Sequence, residues 1–119
     1  MATLACGDGS VEAVLAALTG QMRRRRPPDA IMGANDQIGI AALKWLRDKH
    51  LRIPHEVLVT GFNAFEFWNH SDPILTTVRS PAYEMGARGG EAMLQRLSKG
   101  EFAQRDEVFS VELQIGGST

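Results

Sequence analysis

Ala30-Ile31-Met32-Gly33-Ala34-Asn35-Asp36, followed by Gln37-Ile38-Gly39-Ile40-Ala41-Ala42-Leu43-Lys44-Trp45-Leu46, is the stretch whose reading decides the fold. Residues 30–34 are a short apolar run, and it stops at two polar residues that favour turns and helix starts. From Gln37 the period becomes helical. Ile38, Ala42, Trp45 and Leu46 fall on one face of a helix over about 37–49. Asp36 is expected to cap that helix. Arg47, Lys49 and His50 near its end suit the negative pole of the helix dipole. Strand, tight turn and helix in this order form the unit from which parallel α/β sheets are built.

The same alternation continues outward. Downstream, Pro54 introduces a valine-rich strand at 56–60, which Gly61 ends. An aromatic stretch from Phe62 to Trp68 shows no clear period. Residues 75–78 read as a short strand. Ser80 and Pro81 then look like an N-cap and a first-turn proline, opening a helix that runs to about Ser98 and stops at Gly100. Phe109, Val111, Leu113 and Ile115 alternate with Ser110, Glu112 and Gln114, as in a closing strand with one wet face. Upstream, an apolar run at 2–6 is broken by Gly7-Asp8-Gly9. Ser10 is placed to cap a helix whose stripe is Val11, Val14, Leu15, Leu18 and Met22. Arg23 to Arg26 lie at its end, and Pro27 and Pro28 forbid its continuation.

The order strand, helix, strand, helix, strand, strand, helix, strand predicts a parallel α/β sheet with helices packed on it. In such sheets a ligand sits beyond the carboxyl ends of the strands. Gly7-Asp8, Asn35-Asp36 and Gly61-Phe62-Asn63 all fall at such ends.

Composition limits what the chain can do. At 119 residues it holds one domain at most. A net charge of −1 gives no global attraction to DNA or to an anionic membrane. No apolar run approaches the length of a membrane span. One cysteine, Cys6, excludes an internal disulfide. The first residues carry neither a basic start nor a long apolar stretch, so no signal peptide is expected and the cytoplasm is the simplest location. Cys6, His50, His55 and His70 belong to no catalytic motif. His50 and His55 stand five apart across a proline, unlike metal ligands. Gly86-Ala87-Arg88-Gly89-Gly90 lies within a helix rather than at a strand-to-helix turn, so it is no phosphate loop. No catalytic residue, metal or cofactor is expected. The four arginines fit a solvated helix end that complements the dipole better than a DNA contact.

Several segments, taken in order, resemble the LacI/GalR type of transcriptional repressor. Pro28-Asp29-Ala30-Ile31 with Ala34-Asn35-Asp36 is similar to the family's "PDAI…AND". Residues 51–57 resemble "G-rvP-ddV", with His50 where glycine is usual. Val59-Thr60-Gly61-Phe62-Asn63 is similar to "V-x-G-F-D", and residues 73–79 resemble "PPLTTVRQ". Gly86 fits the glycine of the next helix, and Val111-Glu112-Leu113 looks like the closing "P-x-E-L" strand. The resemblance runs from about Gly7 to Ser118. It implies a Rossmann-like lobe of a periplasmic binding protein-like fold, incomplete because the N-terminal lobe is missing. Residues 1–119 would be the C-terminal lobe of an effector-binding and dimerisation domain. The helix at 81–98 would normally pack on the missing lobe, so its stripe of Ala82, Met85, Met93 and Leu97 lacks its usual cover. DNA would be bound only through a helix-turn-helix domain absent from this chain.

The implied function is to bind a sugar or similar small metabolite, and a sister subunit, for a cytoplasmic regulator. Sugar recognition needs planar polar groups for hydroxyls and an aromatic face for the ring. Asn35, Asn63, Asp8, Ser80 and Phe62 are the candidate effector residues. Capping competes for Asp8 and Ser80. Asn63 competes with a plain turn role, and it stands where the family usually has aspartate. Packing competes for Phe62, which opens an aromatic group completed by Phe65, Phe67 and Trp68. Ile38, Ala42, Trp45, Phe67 and Trp68 are the expected homodimer face. A stand-alone periplasmic-type sugar-binding protein shares the fold and is the alternative. A small α/β enzyme would need a nucleophile–base pair or a cofactor loop at a strand end, which the sequence does not present.

Overall fold

The computed structural model of the chain describes residues 10–64 and 68–119. The expected first strand, with Cys6, Gly7 and Asp8, lies outside the described residues, as do Phe65 and Phe67. The rest of the order is as the sequence predicts: α1 (Val11–Met22), β1 (Ala30–Met32), α2 (Asp36–Asp48), β2 (Leu58–Thr60), a 3₁₀ turn (Trp68–His70), β3 (Thr77–Arg79), α3 (Ala82–Lys99) and β4 (Glu112–Gln114). The chain divides into two compact units, one holding residues up to Arg79 together with Leu113–Thr119, the other Ser80–Glu112.

In the first unit β1 and β2 pair in parallel, with Ala30 opposite Leu58, Ile31 opposite Val59 and Met32 opposite Thr60. Two isolated parallel bridges, Thr60–Thr76 and Asn63–Arg79, carry the pairing from β2 to β3, and β3 pairs with β4. Side chains alternate across a strand. Ile31 and Val59 therefore point into a core completed by Val14 and Leu18 of α1, Ala42, Leu43 and Leu46 of α2, Val57 and Leu75. Met32 and Leu58 fall on the other face, 79% and 39% exposed. α1 and α2 thus cover one side of this sheet.

Each helix end has a local cause. Ser10 Oγ accepts from Ala13 N–H at 3.2 Å and starts α1 as expected. At the start of α2, Asn35 is the cap: its Oδ1 accepts from Ile38 N–H at 2.9 Å. Asp36, expected in that role, is instead the first helical residue and is buried. α2 closes with a Schellman pair, Leu51 N–H to Leu46 O at 3.0 Å and His50 N–H to Arg47 O at 2.8 Å. That motif puts His50 in the left-handed region, φ 59°, where glycine alone escapes a steric penalty. His50→Gly is therefore expected to stabilise the chain by about 0.5–1 kcal/mol, the relief of strain exceeding the extra freedom of the unfolded glycine. A raised urea midpoint with an unchanged slope would register it. Just beyond, Glu56 Oε2 accepts from both Arg52 N–H and Arg52 Nε, each at 2.9 Å. The backbone donor, then the guanidinium, holds this carboxyl below the usual carboxylate range.

α2 also corrects an expectation about its faces. Ala42, named for the dimer face, is fully buried within the chain's own core, where no partner can touch it. Ile38 and Trp45 flank that core and are half-buried.

The second unit is α3 and the segment after it. Ser80 does not cap α3. Pro81 holds the N-cap position and provides no side-chain hydrogen bond. Gly100, φ 82°, ends the helix in the left-handed region as expected. Arg88 bridges Glu91 (2.6 Å) and Glu107 (2.9 Å), which raises the guanidinium's proton affinity, Glu107 first. The apolar stripe is uncovered: Met85, Met93 and Leu97 are 47%, 55% and 77% exposed. The closing strand is shorter than its pattern, only Glu112–Gln114.

Candidate functional site

Three strand ends of the first unit are tied into one rim. β1 runs out at Gly33, whose N–H donates to Thr60 O at 2.8 Å. The α2 start is tied to the end of β2 by Asp36 N–H to Phe62 O, 3.1 Å. β2 in turn leans on β3 through Gly61 N–H to Thr76 O (2.9 Å) and Asn63 N–H to Val78 O (2.8 Å). The turns at Asn35 and Gly61, expected to converge, therefore do so through backbone hydrogen bonds.

Asp36 sits beneath this rim. It is 1% exposed, and its Oδ1 accepts from the hydroxyl of Thr77, itself 1% exposed. A buried carboxylate is costly unless hydrogen-bonded. Here it joins α2 to β3 across 41 residues of sequence. Gly61 makes the approach possible, since a Cβ at that position would overlap Asp36 Oδ1 and come within 2.7 Å of Leu75 Cδ2. Gly33 is similarly confined: a Cβ there would stand 2.8 Å from Gly39 N and 2.9 Å from Asn35 O.

Along the rim opens a shallow cavity of about 430 Å³. Its wall is formed by residues 32–34 of the β1 end, 60–62 of the β2 end, 76–78 of β3, and Leu113. Phe62, 42% exposed, is not packed away in the core and is one of the residues that line this cavity. The hydroxyls of Thr76 and Thr77 in the wall already have partners. Thr77 serves Asp36, and Thr76 Oγ1 accepts from Gly116 N–H at 2.9 Å and meets Thr119 Oγ1 at 2.7 Å.

Of the sequence candidates, the structure brings Phe62 onto the wall, and places Asn35 and Asn63 next along the two turns that form it. Asn35 spends its carbonyl oxygen on capping, so its amide N–H groups are what it can offer a ligand. Asn63 has φ 99°, a conformation asparagine tolerates better than most residues. Ser80 follows the last residue of β3 and belongs to the second unit. Asp8 lies outside the described residues. Trp68, half-buried, opens the 3₁₀ turn. Thr77, Leu113 and Ser118 were not among the site candidates read from sequence. A threonine pair in a strand and a serine near the end of the chain carry no local signal of their tertiary partners. Among the described residues no group of three or more His, Cys, Asp or Glu side chains could hold a metal ion.

A shallow wall of this kind suits a neutral small molecule with an apolar face and hydroxyls at its edge. Comparison with known proteins agrees with the fold. A family profile described as a periplasmic binding protein-like domain matches residues 2–119. The HTH-type transcriptional repressor CytR of Escherichia coli (strain K12) is 28% identical over 116 residues, which are 98% of this chain and 34% of that protein. A solved structure of a putative transcriptional regulator LacI from Bacillus cereus subsp. cytotoxis NVH 391-98 is 26% identical, with a TM-score of 0.86 over 94% of this chain and 40% of that one. A complex of the transcriptional regulator CelR with cellobiose is 27% identical, with a TM-score of 0.83 over 94% of this chain and 34% of that one. The chain spans about a third or less of the length of the curated relatives it matches.

Proposed function

Because this chain belongs to the periplasmic binding protein-like domain family, we propose that it forms one wall of the effector cleft of a LacI-type transcriptional regulator, and that it binds rather than catalyses. The effector is a sugar or similar small metabolite. It is held by the Asn35 amide, the Phe62 ring and the Asn63 turn, with the second wall supplied by a lobe outside this chain. Ligand acts by unequal affinity for the open and closed cleft, which shifts the balance between two geometries of a DNA-bound dimer. The exposed edges of Ile38 and Trp45 on α2, with Trp68, make the homodimer face. Phe67, of the same expected face, lies outside the described residues. Sequence-specific DNA binding belongs to a helix-turn-helix domain absent from this chain. A regulator of this kind works in the cytoplasm. In keeping with this, no helix among the described residues is long and apolar enough to cross a membrane. The regulators among its relatives favour this reading over a stand-alone sugar-binding protein.

The observation that carries the proposal is the continuous rim from β1 to β3, with Asn35 and Phe62 on it. Asn35→Asp is the informative change, because aspartate caps helices as well as asparagine does but lacks the amide donors. In a two-lobed protein carrying this chain, titrated with neutral mono- and disaccharides including cellobiose, Asn35→Asp is expected to keep the melting temperature. It should weaken effector binding about tenfold or more, the loss of a hydrogen bond to a buried ligand group. Unchanged affinity would take Asn35 out of the site.

A further inference from the structure

One strongly charged surface is not used by this reading. Arg23, Arg24, Arg25 and Arg26 are consecutive and all four are exposed. They supply four of the thirteen cationic residues of a chain whose net charge is −1, so without them it would stand at −5. Nearly a third of the cationic residues therefore stand in one four-residue run on an otherwise acidic molecule.

The helix-dipole explanation accounts for little of the run. α1 ends at Met22 and has no basic residue in its last turn. Arg23 is the C-cap, and the other three follow it outside the helix. Interaction with the dipole fades within the terminal turn, so Arg24 to Arg26 gain little there. Nor does the run serve ion pairing within the chain. The arginines that bridge carboxylates are Arg47, Arg52 and Arg88, and none of the four makes an ion pair with a described residue. The mount is firm. Val14 and Leu18 anchor α1 in the core on one side, and Pro27 and Pro28 fix the backbone on the other.

We propose that Arg23–Arg26 is a sequence-independent docking site for the phosphates of duplex DNA, additional to the sequence-specific contact of the helix-turn-helix domain. The choice of DNA over an acidic protein rests on the reading of the chain as part of a DNA regulator. Guanidinium groups pair bidentately with phosphate oxygens, and four exposed cations without ion-pair partners among the described residues break no such pair in doing so. The contact raises the local concentration of duplex near the regulator without reading bases.

Fluorescence anisotropy of the 119-residue chain with a labelled duplex of arbitrary sequence tests this. Binding is expected at low salt, with a log–log salt slope near −3.6, about 0.9 per phosphate for four phosphates. Between 50 and 200 mM salt the affinity should fall about 150-fold. Replacing all four by glutamine (R23Q, R24Q, R25Q, R26Q) should abolish binding and leave the melting temperature unchanged, because all four residues are exposed and none makes an ion pair with a described residue. Arg105→Gln, an exposed cation elsewhere, should leave binding intact. No binding of the folded chain at low salt overturns the proposal, as does binding that survives the quadruple change. Displacement of the duplex by poly-glutamate at lower concentration than by unlabelled DNA also overturns it, in favour of an acidic protein partner. Effector binding by the two-lobed protein is measured separately, so loss of this contact does not bear on the cleft.

Discussion

Ser118→Ala is expected to lower the stability of the chain by about 3 kcal/mol, a large fraction of what a domain of this size possesses. Ser118 is fully buried. Its hydroxyl donates to Val59 O at 2.6 Å and accepts from Thr76 N–H at 2.8 Å. Its own carbonyl accepts from Val59 N–H at 2.9 Å. The last residues of the chain thus fill the gap between β2 and the stretch leading into β3, in the place of a strand pair. Alanine keeps the backbone bond but strands one donor and one acceptor in the interior, each costing about 1–3 kcal/mol. Thr119→Ala removes only a half-exposed hydroxyl contact with Thr76 and is expected to cost less than about 1 kcal/mol. Urea unfolding of the three proteins followed by circular dichroism separates the cases. A Ser118→Ala loss no greater than that of Thr119→Ala would mean that water reaches the gap and satisfies both groups.

Much of this architecture can be read from periodicity, because a helical stripe or a valine-rich run is a local property. α1 and α2 begin and end within about a residue of where their stripes and breakers put them, and β1, β2 and β3 each fall within or beside their apolar runs. What depends on tertiary partners is not local. Asn35 and Asp36 are both good caps, and the sequence does not choose between them. The choice is made by Thr77, far along the chain, whose hydroxyl draws Asp36 inward and leaves the cap to Asn35. The stripe of α2 was read as Ile38, Ala42, Trp45 and Leu46. The buried side shares Ala42 and Leu46 with it but turns toward Leu43, leaving Ile38 and Trp45 half-buried at its edge. It includes Gly39, which counts for little on a hydrophobicity scale but lets Leu75 pack against the helix, 3.0 Å from where a Cβ would stand. Of the candidate site, the convergence of the Asn35 and Gly61 turns was legible, since strand ends collect ligands in parallel sheets. The buried Asp36–Thr77 link beneath it was not. Nor did the sequence show that Phe62 would face a cavity rather than the core.

Gly61→Ala is the change expected to damage that rim most directly, at a cost of about 3 kcal/mol or more. The reason is space. The added methyl would meet Asp36 Oδ1 at once, with Leu75 Cδ2 at 2.7 Å and Asp36 Cα at 3.1 Å. None of these can yield cheaply. Leu75 and Asp36 are both buried, and Asp36 is fixed by Thr77 and by its own place in the first turn of α2. Relief requires either moving α2 away from β2, which opens the core around Leu43 and Leu46, or breaking the Asp36–Thr77 bond, which leaves a buried carboxylate without that donor. The first route also displaces the Phe62 carbonyl from Asp36 N–H, so the wall of the cavity moves with it. Gly86→Ala provides the opposite sign in the same molecule. Gly86 lies within α3 with nothing within 4 Å of an added Cβ, and alanine there is expected to stabilise by up to about 1 kcal/mol through helix propensity. Urea midpoints moving in opposite directions for the two substitutions would locate the effect in packing at the rim rather than in backbone freedom. A Gly61→Ala protein as stable as the parent would show that α2 and β3 are not held together there as the structure describes.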